Sequence, residues 1–133
     1  PMGACLVGEK CENVLTPGTH GSTFGGNPIA CAGGLAVLDR LSSEGFLDDV
    51  SRKAEIFRSE LEKCSEVESG SGLGMMIGIS LKTKKAGDVA KAALDKGLLI
   101  LTAKEKVRLL PPLTISDDEI KEGLAVLIEI LEE

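Results

Sequence analysis

The sequence predicts an α/β fold, an α+β two-layer sandwich, on three observations. Three segments after Gly45 carry apolar residues at helical spacing on one face. Three runs of strand length, rich in apolar residues, lie between those segments. The resulting order is helix, strand, helix, strand, strand, helix. This order predicts a small sheet that is covered by helices on one face.

The part of the chain before Gly45 is predicted to form a strand, a loop and a long helix. Residues 1–7 are a short apolar run with no helical N-cap before it, which predicts a buried strand. Asn27 offers an N-cap oxygen and Pro28 suits the first helical position, so a helix is predicted from there to about Leu41. Gly45 is predicted to lie just beyond the end of this helix.

The next elements are predicted to be a helix and a strand joined by a turn. Asp48 or Asp49 is a suitable N-cap, and the apolar residues that follow recur on one helical face. These residues are Val50, Ala54, Phe57, Leu61 and Cys64. Three glycines between residues 69 and 74 predict a turn. From Met75 to Leu81, large apolar residues alternate with smaller or polar ones, as in a strand.

A helix, a hairpin and a final helix complete the prediction. Residues 88–96 hold apolar side chains in helical register. Two apolar runs, 98–101 and 107–110, flank a charged tip and predict a hairpin. Ser116 and Glu119 have the spacing of a capping box at the start of the last helix. Its buried stripe is predicted to comprise Ile120, Leu124, Leu127, Ile128 and Leu131.

Composition and charge argue against several classes of function. The net charge is −6 and no Lys/Arg cluster is interleaved with aromatic residues, so no nucleic acid partner is predicted. No apolar stretch is long enough for a bilayer and no targeting segment is visible, so we predict no membrane association and a cytoplasmic location. The four cysteines are widely spaced, which predicts free thiols and no metal site.

The most distinctive segment is TPGTHGSTFGGN, at residues 16–27. Its many Gly, Ser, Thr, Pro and Asn residues predict a loop with unusual backbone angles. The hydroxyls of Thr19, Ser22 and Thr23, accessible amides and the positive end of the following helix together suit a phosphate or a carboxylate. The alternative is a glycine-rich turn whose hydroxyls only cap that helix. His20, the only histidine, is interpreted as structural.

Arg108 is the second candidate for binding chemistry. It lies in the apolar run VRLLPPL, where a guanidinium is costly unless an anion meets it. Its planar fork suits bidentate binding of a carboxylate. The alternative is an edge-strand arginine that points to solvent or pairs with Glu105. Several lysines fall in turns or on polar faces and are interpreted as solvated: Lys84, Lys85, Lys91, Lys96, Lys104 and Lys106.

Four segments resemble the class III, fold-type I aminotransferases, which use pyridoxal 5'-phosphate. PGTHGSTFGGNPIACA is similar to the family segment that follows the cofactor lysine. PMGA at the start, GLGMMIGI at 72–79 and GLLILTAKEKVRLLPPLTI at 97–115 occur in the family's order, so the resemblance covers essentially the whole chain. Ser71 departs from the pattern, because relatives commonly carry arginine or lysine there, and we assign it no function.

The resemblance implies roles for three residues. Thr23 is expected to hydrogen-bond the pyridoxal phosphate of a partner subunit, with Ser22 beside it, so the full-length enzyme is expected to be a homodimer. Arg108 is expected to clamp the α-carboxylate of the substrates. No catalytic residue is expected within the chain, because the Schiff-base lysine of the family lies upstream of residue 1, as does the aspartate on the pyridine nitrogen.

Three parts of a family member are implied: the end of the large cofactor domain at 1–26, an interdomain helix at 27–44 and the small C-terminal domain at 45–133. The run GLLILTA most resembles members that act on N-acetylornithine. The full-length enzyme is expected to transfer the amino group of N-acetylornithine to 2-oxoglutarate in arginine biosynthesis. This chain alone is expected to be inactive and to bind no cofactor. Alternatives are a member acting on ornithine or 4-aminobutyrate, or a non-catalytic amino-acid-binding module of the same fold.

Overall fold

A computed structural model describes residues 2–133 of the chain. The chain divides into two compact units, one that ends at Phe46 and one that spans Leu47–Glu133. This division falls close to Gly45, where the predicted C-terminal domain begins. Its correspondence to domains of the family remains a prediction.

The first unit contains one long helix, α1, which spans Pro28–Leu41 as predicted. A short 3-10 helix at Glu9–Cys11 precedes it. Residues 2–7 are exposed and belong to no strand, so the predicted buried strand is wrong there, and residue 1 lies outside the described residues. An apolar run forms a strand only when another strand supplies hydrogen-bond partners. Among the described residues, no strand pairs with residues 2–7.

Helix α1 begins as the sequence predicts but is poorly covered. Asn27 has an extended backbone, and its Oδ1 accepts a hydrogen bond from the Ala30 amide at 3.0 Å. Pro28 occupies the first turn. None of the residues of α1 is buried, and Ile29 is 87% exposed. An apolar helix face of this kind is typical of a surface that packs on further protein.

The second unit consists of a four-stranded antiparallel sheet and three helices. The elements are α2 (Phe46–Leu61), β1 (Val67–Leu73), β2 (Met76–Leu81), α3 (Ala86–Asp95), β3 (Leu101–Ala103), β4 (Lys106–Leu109) and α4 (Asp117–Glu132). The strand order is β1-β2-β4-β3, and each neighbouring pair is antiparallel. The predicted α/β two-layer fold is therefore confirmed.

Several local predictions need correction. Residues 69–74, predicted as a turn, belong mostly to β1, because pairing with β2 outweighs the low strand propensity of their glycines. The first strand of the later hairpin lies at Leu101–Ala103, not at 98–101. Helix α2 begins at Phe46, earlier than its predicted cap. In α4 the capping box is confirmed, but Ile130 is buried where Ile128 was predicted.

The core lies between one face of the sheet and the helices. The most buried residues of β2 and β4 are Ile77, Ile79, Val107 and Leu109, each at most 9% exposed. The helices contribute buried stripes that include Val50, Ala54, Phe57, Leu61, Val89, Ala93, Ile120, Leu124 and Leu127. Because side chains alternate along a strand, Gly78 and Arg108 lie on the opposite face of the sheet.

Glu66 anchors the turn between β2 and α3. Its Oε1 accepts hydrogen bonds from the backbone amides of Thr83 at 2.8 Å and Lys84 at 2.6 Å, and its Oε2 accepts one from Thr83 Oγ1 at 2.9 Å. The residue is 9% exposed. The hydrogen bonds from Lys84 and then Thr83 hold the pKa of Glu66 below the ordinary glutamate value, although burial acts in the opposite direction.

Replacing Glu66 with glutamine is expected to destabilise the chain and to flatten the pH dependence of its unfolding free energy. A depressed pKa contributes stability that is complete above the unfolded value, about 4.3, and is lost as pH falls through the lower folded value. Urea unfolding at a series of pH values below 5 measures this. Glu55→Gln, an equal charge change on the exposed face of α2, should retain the pH dependence. Identical pH profiles for the two variants would contradict this assignment.

Candidate functional site

The loop at 16–27 is organised by local hydrogen bonds. The amide and Oγ1 of Thr19 both donate to the Thr16 carbonyl, at 3.0 and 2.7 Å. Gly18 and Gly26 have φ values of 88° and 68°, a region that favours glycine. The predicted need for unusual backbone angles is therefore confirmed at these two glycines.

Ser22 and Thr23 present hydroxyl groups at the surface of this loop. Ser22 Oγ accepts a hydrogen bond from the Gly25 amide at 3.0 Å, which leaves its own O–H free to donate. The Thr23 side chain is exposed, and it makes no hydrogen bond within residues 2–133. The helix cap is Asn27, so these hydroxyls do not cap α1. Two available donors can form hydrogen bonds to an anionic group such as a phosphate.

Arg108 lies in β4, directly opposite Gly78 of β2 and Leu101 of β3. Its side chain is half-buried, and its Nε is buried without a hydrogen-bond partner in the described chain. The predicted alternative of an ion pair with Glu105 is not found among the ion pairs of residues 2–133. An unsatisfied buried donor costs about 1–3 kcal/mol, so an anionic ligand would supply the missing acceptor.

Arg108 shares its face of the sheet with Ser71, Gly78 and Lys106. Ser71 pairs with Gly78, which in turn pairs with Arg108, and directly opposed residues point to the same side. Lys106 Nζ donates a hydrogen bond to Ser71 Oγ at 2.9 Å. Sequence reasoning missed this contact, because β1 was not predicted. We refer to these four residues as the open-face cluster.

A cavity of about 380 Å³ lies between the β3–β4 hairpin and α4. Its lining is mainly apolar and includes Leu99, Leu110, Ile120 and Leu124 together with Arg108. An apolar lining does not compensate for the lost hydration of a carboxylate. The open-face cluster, with two basic side chains, is therefore better suited to an anion than this cavity.

Metal ligands, cysteines, membrane-spanning helices and the histidine complete the description of residues 2–133. No group of three or more His, Cys, Asp or Glu residues there could hold a metal ion. All four cysteines are free, and none of the described helices is long and apolar enough to cross a membrane. His20 is exposed in the loop.

Comparison with known proteins shows similarity along the whole chain. The family model described as aminotransferase class-III matches residues 1–131. An acetylornithine aminotransferase from Haemophilus ducreyi is 44% identical over 134 residues, an alignment that covers 100% of this chain and 34% of that protein. The chain thus spans about a third of the length of the curated relatives that it matches.

Two solved structures support the same relationship. The ornithine aminotransferase from Toxoplasma gondii ME49 is 31% identical with a TM-score of 0.77, and covers 90% of this chain and 30% of its own. The acetylornithine aminotransferase from Elizabethkingia anophelis is 30% identical with a TM-score of 0.77, and covers 90% of this chain and 33% of its own. The sequence match, the α/β fold and the resemblance noted above agree: the chain belongs to the class-III aminotransferase family.

Proposed function

We propose that this chain is the C-terminal part of an enzyme that transfers the amino group of N-acetylornithine to 2-oxoglutarate in arginine biosynthesis, in the cytoplasm. The observation that carries the proposal is the Arg108 guanidinium, which has no hydrogen-bond acceptor and forms no ion pair among residues 2–133. A carboxylate substrate would provide that acceptor. The acetylornithine aminotransferases at 39–44% identity support this choice of substrate.

Arg108 contributes by binding and orienting a carboxylate. Its strand is paired on both sides, so the guanidinium projects from a fixed backbone position. Two parallel N–H donors can hold a carboxylate plane and limit its rotation, which lowers the entropic cost of reaching the reactive geometry. Pyridoxal phosphate, when bound, supplies the electron sink for amino transfer.

Ser22 and Thr23 contribute by binding the phosphate of that cofactor. Both hydroxyls can donate, and Gly26 turns the chain before α1 without closing over them. We propose that they serve the site of a partner subunit in a homodimer. The uncovered apolar face of α1 supports further protein packing in the complete enzyme.

The substrate assignment is tested with the enzyme that contains this chain. We expect kcat/KM with 2-oxoglutarate as acceptor to be at least about tenfold higher for N-acetylornithine than for ornithine or 4-aminobutyrate. Initial rates over a range of donor concentrations measure this preference. A higher value for ornithine or 4-aminobutyrate would assign the enzyme to that donor instead, and no transfer from any of the three would contradict the proposed function.

The 133-residue chain alone is expected to show no transamination and to retain no covalently bound cofactor. Lys53, the buried lysine among residues 2–133, is held in an ion pair with Asp49, and the loop and Arg108 supply only two contributions to the site. The measurement is borohydride reduction after incubation with pyridoxal phosphate, followed by mass spectrometry. Stoichiometric modification of a single lysine would overturn this expectation, whereas scattered low-level adducts are what solvated lysines should give.

A further inference from the structure

We propose that Lys106, held in place by Ser71, is a second cationic contact beside Arg108 that selects dicarboxylates over substrates with one carboxylate. This inference rests on the proposed function and specifies the substrate class of the same site. It also revises the sequence-based interpretation of Lys106 as a merely solvated residue. Three features support it: the hydrogen bond from Lys106 to Ser71, the space beside Gly78, and the lack of a carboxylate partner for Lys106 or Arg108 among residues 2–133.

Lys106 is fixed by a contact that crosses the sheet. Its Nζ donates to Ser71 Oγ at 2.9 Å, although Lys106 is on β4 and Ser71 is on β1, with β2 between them. The side chain therefore extends over β2 and does not turn away into solvent. Ser71 Oγ in turn donates to the Gly78 carbonyl at 3.3 Å. The ammonium group is thus positioned by two linked hydrogen bonds.

Gly78 provides the space for this arrangement. A Cβ at position 78 would lie 3.0 Å from Ser71 Oγ and 3.5 Å from Lys106 Cδ. The backbone of Gly78 does not have a positive φ, so glycine is not required for conformational reasons. Its missing side chain instead allows the Lys106 stem to lie close to the sheet. The same residue is directly opposite Arg108, so both basic side chains border one gap.

The charges of Lys106 and Arg108 are not paired within the described part of the chain. Neither Lys106 nor Arg108 has a carboxylate within ion-pair distance among residues 2–133. The two residues are separated by about 6.6 Å along β4, which is two residues of strand rise. The Lys106 ammonium extends from there toward Ser71, and two like charges on one face of the sheet favour an anion that contacts both. An extended five-carbon dicarboxylate carries one carboxylate at each end and can do so.

The two proposed substrates differ in their number of carboxylates. 2-Oxoglutarate has two carboxylates, one for Arg108 and one for Lys106. N-acetylornithine has one carboxylate, and its acetamide group is uncharged. Lys106 is therefore expected to strengthen binding of the acceptor without strengthening binding of the donor. This gives Lys106 a role in specificity that is separable from the role of Arg108.

Direct binding to the 133-residue chain tests the proposal without any catalytic step. Isotope-labelled chain is titrated with glutarate, a five-carbon dicarboxylate, and with butyrate, which has a single carboxylate. NMR amide shifts at Lys106 and Arg108 report binding. We expect Lys106→Met to weaken glutarate binding by about fivefold and butyrate binding by less than about twofold. Lys106→Arg, which keeps the charge, should restore most of the affinity for glutarate.

Two further variants separate the specific contact from general charge. Lys104→Met makes the same charge change two residues away at the exposed hairpin tip, and it should leave the preference for glutarate unchanged. Ser71→Ala removes the anchor of Lys106 and should reduce the preference without changing net charge. An equal loss for glutarate and butyrate in Lys106→Met, or no loss for either, would overturn the proposal.

The enzyme that contains this chain provides an independent check. There, Lys106→Met should raise KM for 2-oxoglutarate about fivefold and leave KM for N-acetylornithine unchanged. An enzyme that does not use N-acetylornithine would refute the proposed function, while the glutarate titration would still decide the role of Lys106. A rise in KM for both substrates would count against dicarboxylate selection.

Discussion

Replacement of Arg108 by leucine is expected to lower kcat/KM for 2-oxoglutarate by about 10²- to 10³-fold in the enzyme that contains this chain. A bidentate guanidinium–carboxylate pair is charge-assisted, and its loss leaves the substrate carboxylate desolvated without a partner. Steady-state rates at saturating amino donor measure the effect. The size of the effect follows from the position of Arg108, whose side chain is half-buried and whose Nε is buried without a partner.

Two control variants define what this result means. Arg58→Leu removes an arginine whose side chain is 48% exposed on α2 and should change the rate little. Arg108→Lys keeps the charge but loses the fork, so it should recover only a small part of the activity. Thermal unfolding of each variant checks that the fold persists. A normal rate in Arg108→Leu would remove Arg108 from the site.

Replacement of Gly72 by alanine is expected to destabilise the second unit by about 2–4 kcal/mol. Gly72 has a φ of 122°, which side chains rarely adopt, and a Cβ would lie 1.9 Å from the Met76 carbonyl oxygen. That oxygen belongs to the backbone of the paired strand, so it can move only if the β1–β2 pairing changes. Urea unfolding of the wild-type chain and the variant measures the loss.

Gly70 offers a matched control in the same strand. A Cβ at Gly70 would meet nothing within 4 Å, and its φ is not positive. Gly70→Ala should therefore change the unfolding free energy by less than about 1 kcal/mol, and a reduced entropy of the unfolded chain can make it slightly stabilising. Equal destabilisation by the two substitutions would show that strand propensity, and not the close approach to Met76, controls stability here.

Local signals predicted the helices well, because the relevant interactions are close in sequence. The Asn27 cap of α1 and the Ser116–Glu119 capping box each involve residues three apart, and both are present. Strands were less predictable, since their partners are distant. The glycines of β1 locally predict a turn, although β2 pairs with β1 along its length. Residues 2–7 show the reverse error, an apolar run without a strand partner in the described chain.

In the candidate site, too, local features were predictable from the sequence and contacts between distant residues were not. Arg108 was identified from sequence because a guanidinium in an apolar run requires an explanation. The Ser71–Lys106 contact spans 35 positions of sequence and depends on the register of three strands, so no local pattern indicated it. The alternation of larger and smaller residues from Met75 to Leu81 predicts which side chains share a face, but not which residues lie opposite them on the neighbouring strands.

The central claim, that Arg108 binds the substrate carboxylate next to the reacting carbon, is tested most directly by removing that carboxylate from the substrate. Succinic semialdehyde is 2-oxoglutarate without this group. The wild-type enzyme that contains this chain should prefer 2-oxoglutarate by at least about 100-fold in kcat/KM, and Arg108→Leu should reduce the ratio nearly to one. A ratio that Arg108→Leu leaves unchanged would contradict the account.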